Sequence, residues 1–449
     1  MSTLMVSVSG IRGLVGNGLD PHTIVKYASA YADFCGKGKI VIGSDGRISG
    51  DMVKHTLIGT LIAKGNDVID IGICPTPTVL YNVNKLGAVG GIQISASHNP
   101  NEWNALKLLN SLGEFMTPEE NKIMLEKLDS ANTNYQKWNE LGKVVSYSEG
   151  LKNHYTEVLK LVDMELIKSK KFKVVLDCVN GAGSYIMPKF LTDLGCEIIE
   201  VDCEKTGVFP RLPEPLPENL TKTMDKVKEV GADLAIVVDP DVDRLVLITD
   251  KGEPFIEENT ITLAAKHVLS KNKGNVVVNL STTRAIDDVA NAVGCEVFRS
   301  PVGEANVVKL MKEVDAVIGG EGSGGVIYPE LHYGRDALVG TVLTLEHLAE
   351  QNKKLSQIKN ELPQYFIAKK KIELGNVNPD NVIEEIKNKY SDQKINTDDG
   401  LRIDFDDHWV HFRKSNTEPI IRCIAEAQSE EDANKFIDKY FGVVKELMK

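Results

Sequence analysis

Along most of the chain, apolar runs of strand length alternate with segments whose apolar side chains recur every three or four positions, almost to residue 360. Strand-type runs separated by helical patterns are the signature of βαβ units, so the pattern predicts α/β layers. The first cycle can be read from its punctuation. Asp20 and Pro21 supply an N-cap and a first helical residue, Ile24, Val25, Ala28, Tyr31 and Ala32 share one helical face, and residues 39–43 make a strand. A helix near 51–64 then leads to a strand at 68–71, and a segment at 75–86 leads to a strand at 89–95.

The same grammar restarts after residue 150, with a helix at 151–162 and strands at 173–177, 197–201 and 233–238. Between them, Pro210, Pro213, Pro215 and Pro217 mark a surface crossing, because proline cannot occupy a helix interior. A third round begins near 252, with helices at 257–269, 284–293 and 304–312 and strands at 275–279, 296–298 and 316–318. Three such rounds predict an architectural repeat despite weak sequence self-similarity. Residues 364–449 differ, with short strands at 367–373, 400–405 and 409–412 and helices at 379–390 and 430–448, an α+β module. The expected domains are 1–148, 149–251, 252–363 and 364–449.

Composition narrows the class. A chain of 449 residues is long enough for two to four domains, and 42% hydrophobic and 26% charged residues are ordinary for a globular protein. No run approaches the ~18 apolar residues of a membrane span, and the opening MSTLMVSVSGIRG lacks the order of a signal peptide, so a cytoplasmic location without a membrane partner is expected. Cysteines at 35, 74, 178, 196, 203, 295 and 423 form no CxxC pair, which indicates reduced core thiols and neither a disulfide framework nor a cysteine zinc site. Lys and Arg number 52 against 64 Asp and Glu, a net −12 that argues against nucleic acid but leaves room for a local anion pocket.

Four segments carry candidate chemistry. Ser95-Ala96-Ser97-His98-Asn99-Pro100 follows a strand, where ligands collect in open α/β sheets, and presents either an exposed hydroxyl or a self-satisfied polar turn. Lys107 lies close enough to fold back beside it, to neutralise a phosphate or, if its pKa is depressed, to shuttle a proton. Asp239-Pro240-Asp241-Val242-Asp243-Arg244 also follows an apolar strand. Three carboxylates at alternate positions repel unless a cation intervenes, and a hard divalent ion, Mg²⁺ above Ca²⁺, suits oxygen ligands. An EF-hand is disfavoured, since Arg244 stands where its glycine belongs and Asp250 where its glutamate belongs. Gly319-Gly320-Glu321-Gly322-Ser323-Gly324-Gly325 is neither GxGxxG nor a Walker A loop, but Glu321 and Ser323 suit sugar hydroxyls. Finally, Arg413-Lys414-Ser415-Asn416-Thr417-Glu418-Pro419-Ile420-Ile421-Arg422 concentrates cations and small polar side chains as an anion cradle would. A nucleophile, a metal site, a polyol site and a phosphate cradle together imply phosphoryl transfer on a phosphorylated sugar.

These motifs, in this order and spacing, resemble the α-D-phosphohexomutase superfamily over the whole chain. The resemblance implies three related α/β domains with mixed sheets and a C-terminal α+β domain around a central cleft. It also implies that Ser97 is carried as phosphoserine, completing one Mg²⁺ site per chain with Asp239, Asp241 and Asp243, and that a hexose 1,6-bisphosphate serves as intermediate and activator. Arg12, His98 and Lys107 are expected beside the phosphoserine, Arg244 as a brace of the metal loop, Glu321 and Ser323 on ring hydroxyls, and Arg413, Ser415, Asn416, Thr417 and Arg422 on the distal phosphate. Within the superfamily the chain looks most like phosphoglucosamine mutases, which predicts glucosamine 6-phosphate and glucosamine 1-phosphate as substrates, with a phosphorylated hexose or hexosamine as the only partner besides a possible second copy in a homodimer.

Two departures stand out. Ser7-Val8-Ser9 precede Gly10-Ile11-Arg12-Gly13 where Gly-Thr-Asp is usual, and the sugar loop ends in Gly325 instead of histidine. His332 is either a substitute imidazole or a surface residue. Phosphomannomutase/phosphoglucomutase activity on the same scaffold, a serine-dependent sugar phosphatase and a sugar-phosphate sensor are the alternatives. The phosphatase has no need of a far phosphate cradle, and the sensor no need of Ser97 and three aspartates.

Overall fold

A computed structural model describes residues 3–129, 134–375, 377–414 and 420–447. Among these the strands form four sheets. The core of the first has the order Asp67–Ile73, Lys39–Ser44, Gly90–Ile94, Trp103–Leu109; the first three are parallel and the last antiparallel. The second sheet repeats that plan with Glu197–Val201, Lys173–Asp177, Leu234–Val238 and Leu245–Thr249, and the third with Val297–Ser300, Asn275–Asn279, Ala316–Glu321 and Gly325–Ile327. The repeat expected from the hydrophobic pattern is therefore one of topology. The first sheet is widened by Met5–Ser7, Gly10–Val15, Gly18–Leu19 and Val144–Ser146. The fourth is wholly antiparallel, in the order Phe366–Glu373, Ile420–Ala427, His408–Lys414, Leu401–Asp404, Lys394–Asn396.

Local signals account for several element ends. Asp20 caps the helix Pro21–Cys35 by accepting from the Thr23 N–H, and Pro21 opens it. The helix expected at 151–162 stops earlier, as Gly150–Leu159, because Asp163 caps a separate helix Met164–Lys170. Other elements differ more. The helix Ala337–Gln351 is buried along nearly its whole length, and a sequence apolar on all sides shows no amphipathic period. Residues 420–422, read above as part of a charged loop, begin the strand Ile420–Ala427, second in the fourth sheet.

The second and third sheets share one apolar cluster running from Val158 to Leu362, whereas the first and fourth sheets have cores of their own. Among the described residues no helix is long and apolar enough to cross a membrane.

The loop after the strand Lys173–Asp177 lies directly against the aspartate loop. Ala182 N–H donates to the Pro240 carbonyl at 2.8 Å, and a Cβ at Gly181 would stand 2.6 Å from Pro240 Cα. Gly181→Ala is therefore expected to cost about 1–3 kcal/mol by overpacking backbone against backbone. Urea unfolding followed by circular dichroism checks this, with Gly59→Ala, where a Cβ meets nothing within 4 Å, as the control.

Candidate active site

In all three α/β rounds the connection between the third strand and its antiparallel fourth carries one of the chemical motifs. Ser97 and His98 follow Gly90–Ile94, the aspartates follow Leu234–Val238, and Gly322 and Ser323 follow Ala316–Glu321. One topological position, used three times, brings the three loops to a common cleft.

Ser97 is 3% exposed, sits at φ 49°, and donates its hydroxyl hydrogen to Asp239 Oδ2 at 2.9 Å. Its loop is shaped by Arg47, a residue that sequence reasoning passed over. Arg47 Nε pairs with Asp45 Oδ2 at 2.9 Å, while its two terminal nitrogens donate to the carbonyls of Ser97 (2.5 Å), Asn99 (2.8 Å), Pro100 (2.7 Å) and Trp103 (3.1 Å). Ser95 completes the frame, donating to Asp45 Oδ2 at 2.7 Å and accepting the Ser97 N–H at 2.9 Å. Arg12 reaches the same loop through Asn99 Oδ1 at 2.6 Å. The available signal for Arg47 was an arginine in Asp45-Gly46-Arg47, at the carboxyl end of a parallel strand.

Asp239, Asp241 and Asp243 are buried, and one ligand oxygen from each lies within 4.8 Å of the others. The cations absent from the motif come from elsewhere. Lys107 Nζ contacts Asp241 Oδ2 at 2.5 Å and Asp243 Oδ2 at 3.2 Å, and Arg335 Nη2 contacts Asp243 Oδ2 at 2.9 Å. Thr76 also donates to Asp241 Oδ2. Burial lifts the Asp239 pKa well above the ordinary value, and Asp243 and Asp241 add to the rise. At Asp243 burial again opposes ionisation, but Arg335, Lys107 and Arg244 outweigh it and hold the carboxyl low. The oxygens Asp241 Oδ1 and Asp243 Oδ1 are buried without a hydrogen-bond partner, so the donor set fits a hard divalent cation.

For Lys107 two roles were open, neutralising a phosphate or shuttling a proton, and its surroundings favour the first. A depressed pKa would suit a proton shuttle, yet although burial pulls its pKa down, Asp241 and Asp243 more than compensate and raise it. It is a held ammonium. His98 is the opposite case: burial, then Arg244 and Arg12, push it down to about 2. Its imidazole is neutral, so its 3.7 Å approach to Glu214 is not an ion pair. Arg244 braces the aspartate loop by its backbone N–H, 3.2 Å from Asp239 Oδ1, while its guanidinium reaches Glu214 at 3.3 Å.

Glu321 ends its strand, accepting from Asn279 Nδ2 (2.9 Å), Gly303 N–H (3.1 Å) and Arg335 Nη1 (2.7 Å). Arg335 also meets Glu304 at 2.9 Å and so ties the aspartate loop to the Glu321 loop. Its only sequence signal was a charged residue in a glycine turn beside His332. His332 itself does not line the cleft; it is 10% exposed at its side chain and hydrogen-bonds Asp336 at 3.0 Å, so it neither replaces a sugar-loop imidazole nor lies free on the surface.

Across the cleft, Arg422 stands on a strand, not in the loop assigned to it above, directly between Lys371 on one side and Arg413 on the other. Arg413 Nε lies 2.9 Å from Asp399 Oδ2. Ser415, Asn416 and Thr417 lie outside the described residues. A cavity of about 370 Å³ lined by Arg12, Ser97, His98, Lys107, Arg244 and Glu321 adjoins one of about 660 Å³ lined by Ser323, Lys371, Arg413 and Arg422. His98, Arg244, Glu321, Arg335 and Arg422 border both.

Four units around one cleft, with a buried serine on an acidic cation site facing a bank of arginines, define a phosphohexomutase, an enzyme that moves a phosphoryl group within a sugar phosphate. Comparison with known proteins agrees. The chain matches the phosphoglucomutase/phosphomannomutase alpha/beta/alpha domain I over residues 4–134, domain II over 147–252, domain III over 257–366 and the C-terminal domain over 371–442. It is 38% identical over 450 residues to "Phosphoglucomutase/phosphomannomutase" of Thermococcus kodakarensis, covering 98% of each chain. It is 34% identical over 447 residues to "Probable phosphoglucosamine mutase" of Methanopyrus kandleri, covering 97% of each. A solved phosphoglucomutase/phosphomannomutase family protein from Burkholderia thailandensis superposes with a TM-score of 0.86 at 26% identity, covering 98% of each chain. The chain belongs to the phosphoglucomutase/phosphomannomutase family.

The Arg47 fork generates a prediction. A lysine keeps the charge but cannot serve four carbonyls at once, so Arg47→Lys is expected to lower kcat by about 10²-fold by misplacing Ser97. Steady-state kinetics with a parallel melting curve checks that the fold survives.

Proposed function

We propose that the protein interconverts glucosamine 6-phosphate and glucosamine 1-phosphate through phosphoserine at Ser97 and a sugar 1,6-bisphosphate. The observation that carries this reading is that Ser97 Oγ, 2.9 Å from Asp239, faces the same cleft as the Lys371, Arg422 and Arg413 ladder. A serine at one end and a phosphate grip at the other suit a sugar that carries phosphate at both ends in turn.

In the forward half-reaction the phosphoryl group leaves Ser97 Oγ for the free sugar hydroxyl; the P–O bond to serine breaks with its electron pair staying on Oγ, the bond to the sugar oxygen forms, and the hydroxyl proton passes by way of a base in the cleft to Ser97 Oγ. The bisphosphate then reorients and returns its other phosphoryl group to Ser97. Lys107 and Arg12 hold phosphoryl oxygens, Arg244 the cleft wall, Glu321 and Ser323 the ring hydroxyls. Arg413 and Arg422 hold the distal phosphate, together with Ser415, Asn416 and Thr417. Asp239, Asp241 and Asp243 hold one Mg²⁺, which supplies charge neutralisation for the transferring group when bound. The units are bounded near 148, 251 and 363, and the enzyme works in the cytoplasm as a monomer or homodimer, primed by hexose 1,6-bisphosphate.

A second reading, phosphomannomutase/phosphoglucomutase activity, is favoured by the 38% identical relative of that name and by Gly325 in the sugar loop. Relative kcat/KM on glucosamine, glucose and mannose 6-phosphates separates them: the amino sugar is expected to lead by at least about tenfold, and a higher value on either hexose overturns the assignment. For the phosphoserine itself, Ser97→Ala is expected to lower kcat by several orders of magnitude with substrate affinity largely retained, since only the nucleophile is removed. Turnover by that variant close to wild type, with hexose bisphosphate supplied, excludes the intermediate.

A further inference from the structure

Away from the cleft, the helices Glu257–Lys271 and Ala337–Gln351 pack against each other and enclose a polar cluster in an otherwise apolar core. None of its members borders either cleft cavity. At its centre two buried imidazoles face each other, with His267 Nδ1 3.3 Å from His347 Nδ1 and the rings near perpendicular at 84°. Glu350 Oε2 lies 3.6 Å from the same His267 Nδ1. On the far side of its ring, His267 Nε2 donates to Glu346 Oε2 at 2.8 Å, which leaves Nδ1 as the lone-pair nitrogen. Glu346 is itself fixed, accepting the Asp163 N–H at 2.8 Å and the Lys271 ammonium at 2.7 Å.

This arrangement is difficult to account for as packing alone. Two nitrogens at 3.3 Å share at most one proton, and His347 Nε2 is buried with no hydrogen-bond partner. Nε2 lacks a partner in either tautomer, but with the proton on Nε2, the form in which Nδ1 can ligate, the two Nδ1 lone pairs oppose each other unless a cation lies between them. A tetrahedral zinc ion with bonds of about 2.0–2.1 Å to nitrogen sets its ligand atoms about 3.3 Å apart. The separations of 3.3 Å to His347 Nδ1 and 3.6 Å to Glu350 Oε2, both from His267 Nδ1, match two edges of that tetrahedron, and closing the third requires the Glu350 carboxylate at the solvent edge to move toward His347. We propose that His267 Nδ1, His347 Nδ1 and Glu350 Oε2 bind a divalent transition metal of the zinc class, with Glu346 orienting His267 from behind and water as the fourth ligand.

The remaining chemistry is consistent. Imidazole nitrogen with one carboxylate selects zinc, cobalt or nickel over magnesium, so the site differs in kind from the oxygen-only aspartate site. A carboxylate behind a ligating imidazole is the usual outer-shell device that fixes its orientation. Lys271, 2.9 Å from Glu350 Oε1, neutralises the glutamates meanwhile, and its side chain is 44% exposed and free to swing away. Because Glu346 also receives the N-cap residue of Met164–Lys170, a bound ion would clamp the second α/β unit to the third.

The test uses the full chain, stripped with chelator and held in excess Mg²⁺, titrated calorimetrically with ZnCl₂ and spectroscopically with CoCl₂. Wild type is expected to take up one zinc equivalent more than Glu350→Gln or His347→Gln, or to bind that equivalent at least about tenfold more tightly. Any zinc held by the aspartate loop is common to all three proteins and cancels. Cobalt should give the intense visible absorption of a four-coordinate ion in wild type only. Glu350 is at the solvent edge, so its variant keeps the fold even if the His347 variant does not. Equal zinc uptake by wild type and Glu350→Gln, or only a weak six-coordinate cobalt spectrum in wild type, overturns the proposal.

Discussion

Three carboxylates buried within 4.8 Å of one another are the constraint around which this molecule is arranged. Unpaired, each would be driven toward its neutral form by desolvation and by its neighbours. The chain answers with Lys107 from the first sheet and Arg335 from the third unit, while the aspartates come from the second. Charge balance at one point thus requires three units at once, and removal of one partner of such a buried pair costs about 3–5 kcal/mol. The two cations do not saturate the site. They occupy Asp241 Oδ2 and Asp243 Oδ2 and leave both Oδ1 atoms without a hydrogen bond, Asp243 Oδ1 meeting only Arg244 Nε at 3.9 Å, so a cation can enter without first displacing Lys107 or Arg335.

The same logic explains why a topological repeat suits this chemistry. In each round the fourth strand turns back antiparallel at the carboxyl end of the parallel strands, where the ends of the strands leave a crevice. A serine loop, an aspartate loop and a glutamate-ended strand at equivalent places in the three rounds meet at one cavity. The fixed partners then do the fine positioning: Arg47 for the serine loop, Gly181 for the approach of the neighbouring backbone, and Arg335 for both acidic loops.

Much of this was legible in the sequence, and the failures share a cause. Asp20, Pro21, the alternating strands and the serine, aspartate and glycine-rich segments are local signals, written in consecutive residues, and each of those segments follows the strand after which it was expected. The helix Ala337–Gln351 lost its amphipathic signature because neighbouring units bury it on all sides. Arg47 and Arg335 carry no motif of their own; their importance comes from carbonyls and carboxylates 50 and 92 residues away, contacts that only the tertiary fold creates. Which of the two roles open to Lys107 its surroundings favour depends on the tertiary fold in the same way. Burial alone pulls its pKa down, and the sign changes only because two carboxylates from another unit stand beside it. The strand Ile420–Ala427 was obscured by the charged segment that leads into it.

The C-terminal unit is held by a different physics from the rest. Its apolar cluster shares no member with the one that spans the second and third units, and the seam between them is polar: Arg284 N–H to Glu426 at 2.9 Å, Ser281 to His411 at 3.0 Å, and Val302 N–H to Asp399 at 2.9 Å. Hydrogen bonds of this type exchange with water at little net cost, whereas separating an apolar seam exposes surface at about 25 cal/mol per Å². Facing the cleft, the same unit sets Lys371, Arg422 and Arg413 side by side across adjacent strands, a like-charge row that is unfavourable in itself. A dianionic ligand would reverse the sign of that interaction and relieve the repulsion within the row. The catalytic centre and the cationic wall that faces it are therefore built from separate cores, and the boundary between them falls where the apolar packing stops.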